Sequence, residues 1–179
     1  MADGLNQARA LRVAEIINDY RTLLVHISQQ STPVPQEEYY EEGYVVMREC
    51  LAAAQSLMSS NYNPHPMPGN GDEESEKMQL QRVILDSSAR RFQAHKIYLR
   101  IAAAKRWAMN RAVVLRGHRP TGHHSSQLKA VDRTFREELA QITDQHVLAD
   151  LRAADMRAGY WVNEDPSLNS IIRWIRSSS

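Results

Sequence analysis

Apolar positions recur at helical spacing along most of this chain. From Leu5 to about Ser28, Ala8, Leu11, Ile16, Tyr20, Leu23, Leu24 and Ile27 keep that spacing, and "STPVPQ" then stops the helix. After Pro35 a second helix is predicted, in which Val46, Cys50, Ala53 and Leu57 form one apolar stripe with acids behind it. "SSNYNPHPMPGNGDEE" cannot continue a helix, because its prolines lack the amide donor and its Asn and Gly residues favour turns. Asp72, Glu73, Glu74 and Glu76 suit the start of a third helix, where negative charge meets the positive end of the dipole. That helix can run unbroken to Arg116, where "RGHRPTGHHSS" ends it. A fourth starts at Ser125 or Ser126. Its Leu128, Val131, Phe135, Leu139, Ile142 and His146 keep the cleanest amphipathic spacing in the chain, and the pattern fades near Gly159. In the tail, Ile171, Ile172, Trp174 and Ile175 fit either a short strand or a helical turn. The expected fold is therefore all-α: a bundle of four main helices over residues 1–160, with a C-terminal docking tail over 161–179.

Length and charge sharpen this picture. At 179 residues the chain suits one domain, and a formal net charge of +1 rules out any argument from overall basicity. The distribution says more. Acids outnumber bases from Met1 to Gly71, with Glu37, Glu38, Glu41, Glu42 and Glu49 close together, whereas Ser87 to Val131 holds no acid at all. Such asymmetry points either to nucleic acid or to complementary protein surfaces meeting in a complex.

The centre of the basic region reads "RRFQAHKIYLRIAAAKRWAMNR". A phosphate backbone needs cations gathered along one path. At about 100° per residue, Lys96, Arg100 and Arg111 project to one side of the helix and Arg91, Lys105 and Arg116 to the other, with Arg90 and Arg106 on the flanks. The apolar residues Ile84, Tyr98, Leu99, Ala102, Met109 and Val113 take one broad face, with Phe92 and Trp107 beyond its edge. This arrangement predicts a central helix whose long basic stems cover apolar surface and whose heads reach carboxylates, the acidic second helix among them. The residues expected at an interface are Arg90, Arg91, Lys96, Arg100, Arg106, Trp107, Arg111, Arg116 and Trp174. Other protein subunits, in a hetero-oligomer, are the expected partners. The alternative is a helical nucleoprotein or viral coat type of protein that binds nucleic acid through Lys96, Arg100, Arg106, Arg111, Arg116 and Arg119.

Nothing in the sequence assembles an active site. Adjacent carboxylates such as Glu37/Glu38 and Glu137/Glu138 diverge on a helix, and neither a Gly-rich phosphate loop nor a nucleophile elbow is present. His118, His123 and His124 cluster in one loop and His65 in another, without the cysteines or helical histidine pair that would complete a zinc site. Cys50, the one cysteine, falls on an apolar stripe and is expected in the core. The reading is a non-enzymatic protein without cofactor or metal. The opening "MADGLNQARAL" has no signal-peptide pattern and no apolar run approaches a membrane span, so a nuclear or cytoplasmic, non-secreted and membrane-free protein is expected.

The order of "TPVPQEEYYEEGYVVMREC", "ARRFQAHKIYLRIAAAKRW" and "LKAVDRTFREELAQI" resembles the helical domain of the GINS family, small subunits of the replicative helicase assembly. Where that family carries a small β-rich second domain, this chain has "DPSLNSIIRWIRSSS". The resemblance implies a non-catalytic subunit of a tetramer in DNA replication, bridging the helicase ring to its partners, with its helices in contact across subunits.

Overall fold

A computed structural model describes residues 2–29, 40–59, 73–116, 122–160 and 163–178. Among them are six helices and no strand: α1 (Ala2–Ser28), α2 (Glu42–Ser59), α3 (Glu73–Arg116), α4 (Gly122–Gln141), α5 (Asp144–Arg157) and α6 (Leu168–Ser178). Among the described residues no helix is long and apolar enough to cross a membrane.

The fold is organised around α3. Its 44 residues contain neither glycine nor proline, and at about 1.5 Å per residue they span roughly 66 Å. Glu73, Glu74 and Glu76 occupy its first turn and Arg116 its last, so both ends complement the dipole. Every other helix touches α3. Between Ser87 and Trp107 its buried residues fall on all sides, and the small side chains of Ala89, Ala94, Ala103 and Ala104 let neighbouring helices come close. The main core joins α1, α2, α3 and α4 through residues such as Ile16, Leu24, Met47, Ile101 and Phe135. A second cluster joins α3, α5 and α6 through Phe92, Val147, Leu151 and Ile171.

Several expectations need correction. The apolar spacing predicts one helix from Ser125 to Gly159, but the chain breaks at Ile142–Thr143. Thr143 takes an extended conformation, and its hydroxyl accepts from the His146 amide at 3.2 Å, capping α5. His146 is therefore an exposed residue of the next helix, not the end of the α4 stripe. In α1 the buried face is Arg9, Arg12, Val13, Ile16, Ile17, Tyr20, Leu24 and Ile27, and Leu11 is 66% exposed. In α2, Ala54 rather than Ala53 is buried. The tail forms a helix, α6, which rests on α3 and α5.

Two local devices set the register. Gly159, with φ at 79°, ends α5: its amide donates to the Met156 carbonyl and that of Tyr160 to the Asp155 carbonyl. This left-handed closure turns the chain back toward α1. At the other end of the bundle, Gly43 lies under the indole of Trp107, so closely that a methyl group there would overlap the ring. Tyr44 meets the same indole edge-on at 5.0 Å, and Phe135 packs at 5.9 Å. Replacing Gly43 with alanine adds helix propensity but overpacks this contact, and the second effect is larger. Gly43→Ala is expected to lose about 1–3 kcal/mol in urea unfolding; equal or greater stability would show that Trp107 does not pack on α2.

Candidate functional site

The cations of this chain fall into two groups that differ in burial. The first is a buried network around Asp155 on α5, a residue 3% exposed. Arg91 of α3 grips both its carboxylate oxygens, one at 2.9 Å. Arg12 of α1 reaches the same carboxylate at 2.6 Å and also Asp165 at 2.7 Å. One turn earlier, Arg9 forms a two-pronged pair with Glu164 at 2.8 and 3.0 Å. Hydrogen bonds thus join these arginines to Asp155, Glu164 and Asp165, with Glu15 at 3.6 Å from Arg12 and Asp19 at 3.9 Å from Arg91 more loosely placed, and Tyr160 lies against the Arg12 guanidinium at 5.7 Å from its ring centre. Burial alone would push the Asp155 carboxyl up; hydrogen bonds and charge from Arg91, then from Arg12, outweigh it and hold the group below the usual carboxylate range. Burial also opposes the charge on Arg12, but Asp165 and Asp155 more than compensate and raise its proton affinity.

The second group is the half-exposed remainder of the basic helix. Lys96 meets Asp144 at the start of α5 at 2.9 Å, and Arg100 lies 3.9 Å from Glu49 of α2. Arg106 bonds Glu138 of α4 at 3.0 and 3.1 Å. Arg111 bonds Glu41 at 3.1 Å and lies over the rings of Tyr44 and Trp107. His95 reaches Asp150 of α5 at 2.5 Å. The acids come from α2 and the residue before it, from α4 and from α5, because α3 runs through the middle of the bundle. Arg90 is half-buried on α3 beside Tyr20 and Leu24, and Arg116 is exposed at the end of the helix. Arg119, His65 and His118, and the side chains of His123 and His124, lie outside the described residues, as do Glu37, Glu38 and Trp161.

Both tryptophans expected at an interface pack within the chain. Trp107 is 2% exposed and donates its indole N–H to Asp132 at 2.8 Å. Trp174 on α6 donates to Asp86 on α3 and covers the second core cluster. Burial pushes the Asp86 carboxyl up, against the lowering effect of this bond and of Arg90 and Arg82. Cys50 is buried in the main core, and burial pushes its thiol up, away from the nucleophilic thiolate. Among the described residues no group of three or more His, Cys, Asp or Glu is placed to hold a metal ion.

Sequence reasoning named Arg91 but missed Arg9, Arg12, Asp155, Glu164 and Asp165. A signal was present in α1. Four residues before Ile16 stands Arg12, and four before Val13 stands Arg9, so both arginines continue the buried face toward the N-terminus. Arginines on an apolar face require carboxylates, and "NEDP" supplies two.

Two surface features remain. A cleft of about 510 Å³ lies between α2, α3 and α6, with Phe92, Ile97 and Ile172 among its apolar residues and Lys96 and Arg100 among its cations. On the other side of α3, Met109 and Val113 belong to the broad apolar face predicted from spacing, yet they are 68% and 67% exposed. Compared with known protein families, with curated proteins and with solved structures, the chain gives no match.

The two groups of pairs differ in what they contribute. Replacing Asp155 leaves the buried Arg91 with only the distant Asp19, at 3.9 Å, and Arg12 with Asp165 alone, so Asp155→Asn is expected to lose about 3 kcal/mol in urea unfolding. Glu138→Gln removes a surface partner and is expected to lose about 1 kcal/mol at most. Equal losses would contradict the distinction. Because the folded Asp155 carboxyl is depressed, its stabilisation is complete above the unfolded value of roughly 3.9 and is lost as pH falls through the lower folded value. Thermal melts of the wild type should weaken steeply below about pH 4, and Asp155→Asn should flatten that dependence.

Proposed function

We propose that this chain is a non-enzymatic helical subunit that works by assembly with other proteins. The observation that carries this reading is the uncovered stretch of the α3 apolar face. Ile84 on that face is buried by α1 and its neighbours, whereas Met109 and Val113 further along it have no cover among the described residues. Apolar side chains at i and i+4 on a rigid helix suit burial against another subunit. The four-helix reading with a docking tail fits this role, since the tail places α6 on a side of α3 away from Met109 and Val113, which stay uncovered among the described residues.

The ion pairs support assembly over a phosphate path. Of the six residues suggested for nucleic acid, Lys96, Arg100, Arg106 and Arg111 each have an acid of the same chain within 4 Å. Phosphate binding would have to displace those carboxylates before releasing any counterion. The GINS-like form of the proposal, a DNA replication subunit acting in the nucleus, rests on the order of the helical motifs and on the Arg-rich central helix.

The test is to tag the protein in its native host and identify what co-purifies, with and without nuclease. Protein partners that survive nuclease are expected, and helicase components among them would support the GINS-like form. The variant Met109→Asp with Val113→Asp is expected to keep its stability within about 0.5 kcal/mol, since both positions are exposed, and to lose those partners. Recovery of nucleic acid alone, or loss of every partner on nuclease treatment, would contradict the reading.

A further inference from the structure

The apolar spacing that predicts one helix from Ser125 to Gly159 is interrupted only at Ile142 and Thr143. No glycine or proline stands between Gly122 and Gly159, so nothing in the covalent chain keeps α4 and α5 apart. At the break the Ile142 amide donates to the Leu139 carbonyl at 3.1 Å, a tight closing turn, and Thr143 takes φ −79° and ψ 161°. That φ already suits a helix, and ψ at Thr143 is what separates the bend from a continuous one. The bend is favoured by the Thr143 hydroxyl on the His146 amide and by the Lys96–Asp144 pair, at exposed and half-exposed positions.

The chain beyond the break forms one block. Val147 and Leu151 of α5 share an apolar cluster with Leu168 and Ile171 of α6, and Arg152 donates to the Pro166 carbonyl at 3.2 Å. The block rests on α3 and α1 rather than on α4. Its polar contacts are specific: Asp155 with Arg91 and Arg12, Glu164 with Arg9, Asp165 with Arg12, Asp150 with His95, and Trp174 with Asp86. A surface matched in this way to one occupant accepts the same block from a second copy through the same bonds.

We propose that the Ile142–Thr143 break is a hinge through which two copies of this chain exchange their C-terminal blocks. In the exchanged dimer α4 and α5 run as one helix, and α5 and α6 of each copy dock on the α1–α3 surface of the other. Straightening gives up the Thr143 cap and adds helical backbone bonds across the break, while the buried pairs of the block form again between copies. The balance between the two forms then depends on chain concentration. Leaving the folded monomer opens the buried Arg91–Asp155 and Arg12–Asp155 pairs together, so exchange is slow and is reached through refolding. The proposal goes beyond the assembly reading and does not depend on it, since it uses only contacts present within one chain.

The test uses the full chain, refolded from urea at low and high concentration and measured by size-exclusion chromatography with light scattering. Wild type is expected to give a dimer fraction that grows with concentration. Thr143→Ala removes the cap that favours each bend, about fivefold per hinge, and is expected to raise the dimerisation constant at least about tenfold. Asp144→Pro puts proline at the first position of α5, where it suits the bend and the extended Thr143 before it but breaks a continuous helix. That variant is expected to fold and to stay monomeric, since it gives up only a half-exposed pair with Lys96. Exchange itself is read by refolding a tagged Arg91→Met chain together with an untagged Asp155→Leu chain. Only exchange places an intact block on an intact core, so the mixed dimer is expected in at least about tenfold excess over the dimer of either variant alone. Monomer at every concentration, in both wild type and Thr143→Ala, overturns the proposal. So does an Asp144→Pro variant that dimerises like wild type. A mixture no richer in dimer than its two components also overturns it, because that is association without exchange.

Discussion

The Asp155 carboxylate, held between Arg12 and Arg91, is the contact on which the rest of the bundle's order depends. It joins α1, α3 and α5 at one point. Apolar contacts between helices tolerate small slips, because one methylene can replace another. A two-pronged Arg91–Asp155 bond does not, since any slip leaves charges buried without partners. The Gly159 turn belongs to the same arrangement. By reversing the chain just after Asp155, it lets Glu164 and Asp165 reach Arg9 and Arg12, and so brings α6 back onto α3. The C-terminal segment is held to the N-terminal helix by charge and to α3 by apolar burial.

This core separates the basic residues of α3 by what they can do. Arg91 is committed, because breaking a buried pair costs far more than breaking an exposed one. Trp107 and Arg111 are committed too, through Gly43, Tyr44 and Glu41. Lys96, Arg100 and Arg106 hold acids at half-exposed positions, where each pair contributes about 1 kcal/mol or less and can be exchanged for another carboxylate. A helix rich in arginine and free of acid in its central part therefore serves two purposes. Its inner cations order the bundle, and its outer ones hold acids of the neighbouring helices in weaker pairs nearer the surface.

Much of this was legible in the chain. The all-helical class, the unbroken α3 and the acid–base matching between it and its neighbours follow from spacing, from the absence of glycine and proline, and from charge asymmetry. The break at Thr143 was not legible, because apolar spacing runs on from Leu139 through Ile142 and a threonine cap needs only one side-chain bond to take effect. The face of α1 was misjudged for a related reason. Periodicity rewards Leu11 and ignores Arg12, while the fold buries the arginine against carboxylates more than 140 residues away. Met109 and Val113 continue a face that is buried further back along α3, and only the arrangement of the other helices reveals that, among the described residues, it ends uncovered. The cleft beside α6 was hidden while the tail could be strand or helix.

The most direct measurement of the central claim is a double-mutant cycle between Arg91 and Asp155, using Arg91→Met, Asp155→Leu and the pair in urea unfolding. If the buried carboxylate is the organising contact, the two changes should couple by about 2 kcal/mol or more, with the double variant losing clearly less than the sum of the two single ones. Effects that simply add, within about 0.5 kcal/mol, would contradict the account.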